Sequence, residues 1–384
     1  MTPHPSAATV RRAAPQDQPL WDAYVRKHRH ASSFHLFGWG QAINKTYGHA
    51  LHYLMLVESA PRTLRVAPSG TDNLPERLLG VLPLVHLRHP IVGSRLVSLP
   101  FLDGGGILAD SVDAEGHLLT EAVRLAQQNA VGLIELRHER LMEGVEKPMH
   151  PVVGASASCL PPRVLTRSNK VRMLLKLPES SDLLMKSFKS KLRSQINKPL
   201  RAGLVSRIGG PELLEDFYKV FLVNMRDLGS PVHSLKLMKE TLNAFPNDAR
   251  IVVVYRQADP VSAALVVGFG GTLRNPWSFS LRRYASLSPN MLLYLRILEF
   301  ACDRGYEFFD FGRSTQGEGT YKFKEQWGAI PEPLYWQYIS LDGKTLSPGP
   351  VGKGRLEWAT SLWRMLPVPV TKVLGPRIRK HISL

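Results

Sequence analysis

Cysteine is almost missing from this chain. Cys159 and Cys302 are its two, too few for a disulfide framework or a multi-cysteine zinc site. The thirteen histidines are scattered, and His86 with His89 makes no ligand set with nearby cysteines, so no metal is expected. No apolar run reaches the roughly 18 residues that would signal a membrane-spanning helix. The opening stretch, MTPHPSAATVRRAAPQDQPL, has no apolar core of signal-peptide length. These absences predict a cytoplasmic protein, either free or peripheral on the inner face of the membrane. Acidic residues are scarce too: 32 against 49 Lys and Arg leaves a formal charge of +17. Such a surface attracts nucleic acid, anionic lipid or a phosphorylated substrate.

The chain has 384 residues, 44% hydrophobic and 21% charged, enough for two globular units with separate cores. Residues 1–19, rich in Pro, Ala and polar side chains, read as disordered. A first unit is predicted over 20–145, a Pro/Ser/Gly-rich linker over 146–168, and a second unit over 169–340. A basic amphipathic tail, with Trp358, Leu362, Trp363 and Met365, follows over 341–384. Within the first unit, Leu51–Glu58, Leu78–Leu87 and Arg95–Phe101 read as strands. Asp103-Gly104-Gly105-Gly106 follows, a turn or a place where a ligand approaches backbone. Two stretches repeat one pattern. EGHLLTEAVRLAQQNAVGLIELRH and NMLLYLRILEFACDRGYEFFDFGRS each run helix, turn, strand, polar segment with arginine, and apolar strands precede both. This points to a duplicated α/β unit.

The most informative block is Ser288 to Tyr338. A broad apolar helix follows Pro289 and Asn290, and Gly305 ends it. Tyr306–Phe311 is an aromatic-rich strand, and GRSTQGEGTYKFKEQWG is a polar loop with a short helix. FDFGRST, then GTYKFKEQWGA, then PEPLYW resembles the C-terminal signature of FemAB-like acyltransferases, and more narrowly their exosortase (PEP-CTERM) and exopolysaccharide branch. That group is related to the GNAT superfamily and to BioF2-like acetyltransferase domains. Ser33, Phe34, Trp39, Tyr47 and Gly48 resemble an early segment of the same family. The resemblance covers about residues 20–340 and implies an α/β fold of two tandem GNAT-like units, with mixed central sheets flanked by helices.

The activity it implies is acyl transfer to an amine, with acyl-CoA or aminoacyl-tRNA as co-substrate and no metal. The acceptor it implies is a phosphorylated or lipid-linked cell-envelope precursor. Backbone amides at a splayed strand would hold the oxyanion. Asp310, Glu318 and Tyr321 are the catalytic candidates. Asp310 faces away from Phe309 and Phe311, so it either lines a cleft or pairs with Arg313, and the pairing is the favoured reading. Arg313, Ser314, Lys322 and Lys324 are candidates for binding substrate or donor, although a solvated helix face suits the two lysines equally. Arg282, Arg283 and Asn290 stand where superfamily members carry a glycine-rich pyrophosphate turn, which RRYASLSPNMLL lacks. Lys189, Lys191 and Arg193, in the basic run Lys186–Arg201, suit backbone-phosphate contact with tRNA or an anionic membrane. Phe188 is the run's one aromatic, so base stacking is not signalled. Trp39 and Tyr47 read as core residues more readily than as substrate contacts. Two other classes fit the charge: a non-catalytic scaffold for anionic lipid or polysaccharide intermediates, and an RNA-binding protein.

Overall fold

The computed structural model describes residues 8–58, 76–89, 93–142, 163–341 and 353–383. The predicted linker thus lies mostly outside the described residues. The described residues divide into two compact units, the first from residues 8–44, 49–58, 76–89, 93–142, 163–167 and 335–341, the second from 45–48, 168–334 and 353–383.

The chain opens on β1 (Ala8–Arg12), α1 (Gln18–Lys27), α2 (Gly38–Tyr47), β2 (Ala50–Glu58) and β3 (Arg77–His89). It continues through β4 (Gly93–Val97), β5 (Leu108–Ala109), α3 (Val112–Gln128), β6 (Leu133–His138) and β7 (Arg163–Lys176). The expected disorder over 1–19 is corrected for the described part. β1 ladders antiparallel with β2 from Ala8↔Glu58 to Arg12↔Leu54, and Arg11 is held by Asp17 and Glu76. β1, β2, β3 and β4 run antiparallel in order, and β6 joins β4 in parallel. The helix between them, α3, starts where the Ser111 side chain accepts a hydrogen bond from Ala114 N. Its Leu118, Leu119, Ala122 and Leu125 pack on Leu54, Leu82, Leu84 and Ile134 of the sheet.

The second unit holds α4 (Ser181–Ser187), α5 (Ser190–Arg201), β8 (Leu204–Gly209), α6 (Leu214–Leu228), α7 (Leu235–Ala244), β9 (Ala249–Arg256), β10 (Asp259–Phe269) and β11 (Thr272–Ser280). The chain ends with α8 (Pro289–Asp303), β12 (Phe308–Ser314), α9 (Gly319–Glu325), β13 (Ile330–Ser340), α10 (Lys353–Met365) and α11 (Val368–Arg379). β8, β9, β10 and β11 are antiparallel neighbours, β12 joins β11 in parallel, and β7 pairs antiparallel with β12. The broad apolar pattern of α8, interrupted only by a few polar positions such as Arg296 and Glu299, buries the helix on most sides. It sits among Val252, Val254, Val266, Leu273 and Phe309 in the unit's core.

Each unit therefore carries four antiparallel strands in a row, then a helix, then a strand parallel to the last of the four. The predicted duplication is present as two GNAT-like α/β units. One boundary differs from expectation. The stretch Tyr335–Ser340 was assigned to the second unit, but it ladders with β6, from Tyr335↔His138 to Ser340↔Leu133, and belongs to the first. The basic run Lys186–Arg201 spans two helices. The break between them falls at Phe188 and Lys189, and Pro199 is buried inside the last turn of α5.

Candidate functional site

The parallel ladder between β11 and β12 has three rungs, Thr272↔Phe308, Leu273↔Phe309 and Arg274↔Asp310. Beyond them β11 runs on to Ser280 along β10 and β12 to Ser314 along β7, but the two no longer pair with each other and splay apart. Arg274 Nη1 meets Asp310 Oδ2 at 3.0 Å at the last rung, and both side chains are buried. The other carboxylate oxygen accepts from Gly312 N at 2.8 Å, bracing the bulge where register with β7 shifts between Asp310 and Arg313. Gly312 takes φ 77 there, a conformation that costs a glycine little.

The next residues of β11 meet α8. Tyr294 Oη lies 3.2 Å from Asn275 Nδ2 and 2.9 Å from Ser278 Oγ. Burial raises the tyrosine's pKa, so its hydroxyl stays protonated. The Tyr294 ring packs against Phe311 at 5.1 Å and Phe323 at 5.3 Å. Phe323 borders a cavity of about 560 Å³ at the end of β11 and the start of α8, where Lys198, Arg282, Ser288 and Asn290 also line the wall. No side chain caps α8, and its first turn carries no acid. The helix dipole, Lys198 and Arg282 together make this opening attractive to an anion. Ser288 holds φ 54 at the helix start, a strained angle for a non-glycine residue and the place where the glycine-rich turn is lacking.

The structure distributes the expected residues unevenly. Arg282 and Asn290 come to the cavity; Arg283 is exposed and lies over the Tyr284 ring at 5.0 Å. From the basic run, Lys198 reaches the cavity, whereas Lys189, Lys191 and Arg193 are exposed and do not line it. Asp310 does not line a cleft: it is 3% exposed and its carboxylate is engaged by Arg274, a cation outside the expectation. Tyr321 packs into the core, and Glu318 is exposed at the start of α9. Lys324 corrects the solvated-face reading. It is buried, and its Nζ donates to the carbonyls of Gly312 and Arg313 at 3.0 and 2.8 Å. Lys322 is exposed, and Arg313 is half-buried at the bulge. Ser314 is buried, with its Oγ lacking a hydrogen-bond partner among the described residues. Trp39 is in the first unit's interior, donating from Nε1 to the Ser33 carbonyl at 2.8 Å.

Tyr47 lies apart from the cavity. Its hydroxyl accepts from Ser234 N at 3.0 Å and sits 3.1 Å from His233 Nδ1. The other ring nitrogen, Nε2, accepts from Arg379 Nε at 3.0 Å, so the proton of this neutral, buried imidazole is on Nδ1 and points at Tyr47. Arg274, Asn275, Ser278 and Tyr294 were missed by sequence reasoning. Pro276 interrupts the run from Arg274 to Ser278, which disguises it as a strand.

Comparison with known proteins finds likeness in part of the sequence and in the fold. The family described as "Acetyltransferase (GNAT) domain" matches residues 186–325. FemX is similar at 15% identity and a TM-score of 0.58, over 85% of this chain and 96% of that one. A conserved protein of unknown function from Bacteroides thetaiotaomicron is similar at 8% identity and a TM-score of 0.50, over 87% of this chain and 100% of the other. A tandem GNAT protein from the clavulanic acid biosynthesis pathway aligns over 88% of this chain and 99% of its own, at 11% identity and a TM-score of 0.49. No curated protein matches the sequence. The chain carries a GNAT acetyltransferase domain over residues 186–325 within a FemX-like fold, and it is an acyltransferase.

Proposed function

We propose that the protein moves an acyl or aminoacyl group from acyl-CoA or aminoacyl-tRNA to an amine on a phosphorylated or lipid-linked precursor of the cell envelope or an exopolysaccharide. One observation carries this reading: the opened β11–β12 junction stands beside an uncapped helix start flanked by Lys198 and Arg282. Donor phosphates bind at the start of α8, and the acyl carbon enters between the splayed strands. The amine lone pair attacks the carbonyl carbon while the carbonyl electrons move onto oxygen. Backbone N–H groups on the opened strand edges stabilise that oxyanion. Collapse expels the thiolate of CoA or the ribose oxygen of tRNA, and the amine gives up one proton. Asp310 is not the acceptor of that proton, because its carboxylate is bound to Arg274 and Gly312. Water in the cavity takes it. The Tyr294 hydroxyl accepts from Asn275 Nδ2 and shares a hydrogen bond with Ser278 Oγ, which orients the polar side chains of β11.

Calorimetric titration of the purified chain with CoA, acetyl-CoA and charged tRNA tests the donor. One of them should bind, and Lys198→Ala with Arg282→Ala should weaken it at least tenfold without lowering the melting temperature. Binding that ignores both substitutions would remove the α8 opening from the reaction. The FemX-like fold and the charge of +17 keep aminoacyl-tRNA beside acyl-CoA as donor. A tRNA complex would weaken steeply with salt, whereas a CoA complex would change little.

A further inference from the structure

Fifteen large apolar side chains are exposed among the described residues, and seven of them fall between Trp358 and Ile378. They are not scattered. α11 buries its small residues, Thr371 and Gly375, and exposes Val370, Val373, Leu374 and Ile378. A Cβ on Gly375 would stand 2.8 Å from Val232 Cγ1, so the missing side chain is what lets the helix lie close on its own protein. At 3.6 residues per turn the exposed four share one broad outward face with Arg377. α10 does the same: Trp358, Leu362 and Met365 recur at helical spacing, with Trp358 69% and Met365 80% exposed. Both helices pack on α6, and Arg379 is fastened to His233. A helix that merely covers its protein turns its apolar stripe inward. These two turn it outward.

The same segment carries Arg364, Lys372, Arg377 and Lys380, with Arg377 within the apolar face and Lys372 exposed on its flank, while Glu357 is the one acid from 353 to 383. Two copies meeting through this face would bring those cations together without compensating charge. Neither helix is long and apolar enough to cross a bilayer. Short helices with an apolar outer face and a cationic border lie in the membrane interface. We propose that α10 and α11 form a docking surface for an anionic phospholipid bilayer. Trp358, Met365, Val373 and Leu374 enter the headgroup–acyl boundary, and Lys372 and Arg377 meet lipid phosphates. This surface is independent of the acyl-transfer reading.

Flotation of the full chain with vesicles of phosphatidylcholine, with and without phosphatidylglycerol, tests it. The chain should rise only with the anionic vesicles. Lys372→Gln with Arg377→Gln should weaken partition about thirtyfold, and Met365→Glu with Leu374→Glu should abolish it. All four positions are exposed, so the melting temperature should hold. The proposal is overturned if the folded wild-type chain never floats, or if it floats equally well with both pairs of substitutions. It is also overturned if Met365→Glu with Leu374→Glu turns a dimer into a monomer and leaves vesicle binding unchanged, for then a second copy owns this face.

Discussion

The two units use the same junction in opposite ways. In the first, β4 and β6 share three parallel rungs, Arg95↔Leu133 to Val97↔Glu135, as β11 and β12 do in the second. After the last rung of the first unit, residues 98–107 fill the gap. Ser98 N donates to the Glu135 carbonyl, Gly106 N to the Arg137 carbonyl, and Arg137 N to Ser98 Oγ. Arg137, fully buried, joins Glu135 at 2.6 Å and also donates to the carbonyls of Leu99 and Leu102. The glycine triplet is thus a turn packed against β6: a Cβ on Gly106 would lie 2.2 Å from His138. In the second unit no such plug follows β11. The chain turns away through Arg282–Leu287, leaving the strand ends apart beside a cavity. One copy of the scaffold spends its junction on packing, the other on access.

That contrast can be broken most forcefully at the buried ion pairs. Arg274→Ala strands the Asp310 carboxylate and should cost about 3–5 kcal/mol in urea unfolding; Arg137→Ala should cost a similar amount through Glu135. Replacing both partners, Arg274→Met with Asp310→Leu, should recover most of the loss. If Arg274→Ala instead abolished turnover at unchanged stability, Asp310 would be a working group and the open junction would need rereading.

The plugged junction should also be the more acid-sensitive. Burial pushes His138 down to about 3, and its Nε2 accepts from Ile107 N. A histidine whose folded pKa is depressed favours the fold fully above about pH 6.5, and this contribution is lost as pH falls toward 3. At pH 5 the loss attributable to His138 is about 2 kcal/mol. His138→Gln should shrink the difference in unfolding free energy between pH 7 and pH 5 by that amount. An unchanged difference would place the acid sensitivity elsewhere.

The smallest effect belongs to the open junction. Ser288→Gly relieves the positive φ at the start of α8 and should stabilise the chain by about 1 kcal/mol. If the substitution destabilised instead, the Ser288 side chain would be holding the helix start.

Much of this scaffold was legible in the sequence, because the helix–turn–strand pattern occurs twice and apolar periodicity survives in both copies. The residues lining the cavity were partly legible too: Arg282 and Asn290 follow from the position of the last strand and its helix, and Lys198 lies in the basic run. The splay was not, since a ladder that stops after three rungs depends on what lies across it. Nor was Lys324, whose spacing suits a solvated face although its Nζ is drawn inward to two carbonyls. Tyr294 hides in an apolar helix, and only packing shows that its hydroxyl meets Asn275 and Ser278. Asp310 was noticed, but its partner sits 36 positions earlier, on a strand that Pro276 disguises.

The return of Tyr335–Ser340 to β6 bears on how the chain is made. During translation the first unit emerges with the edge of β6 bare, and its finishing strand follows about two hundred residues later. A product stopped before Tyr335 should expose that edge and aggregate. The unit built around β6 therefore depends for its completion on a segment made about two hundred residues after β6 itself.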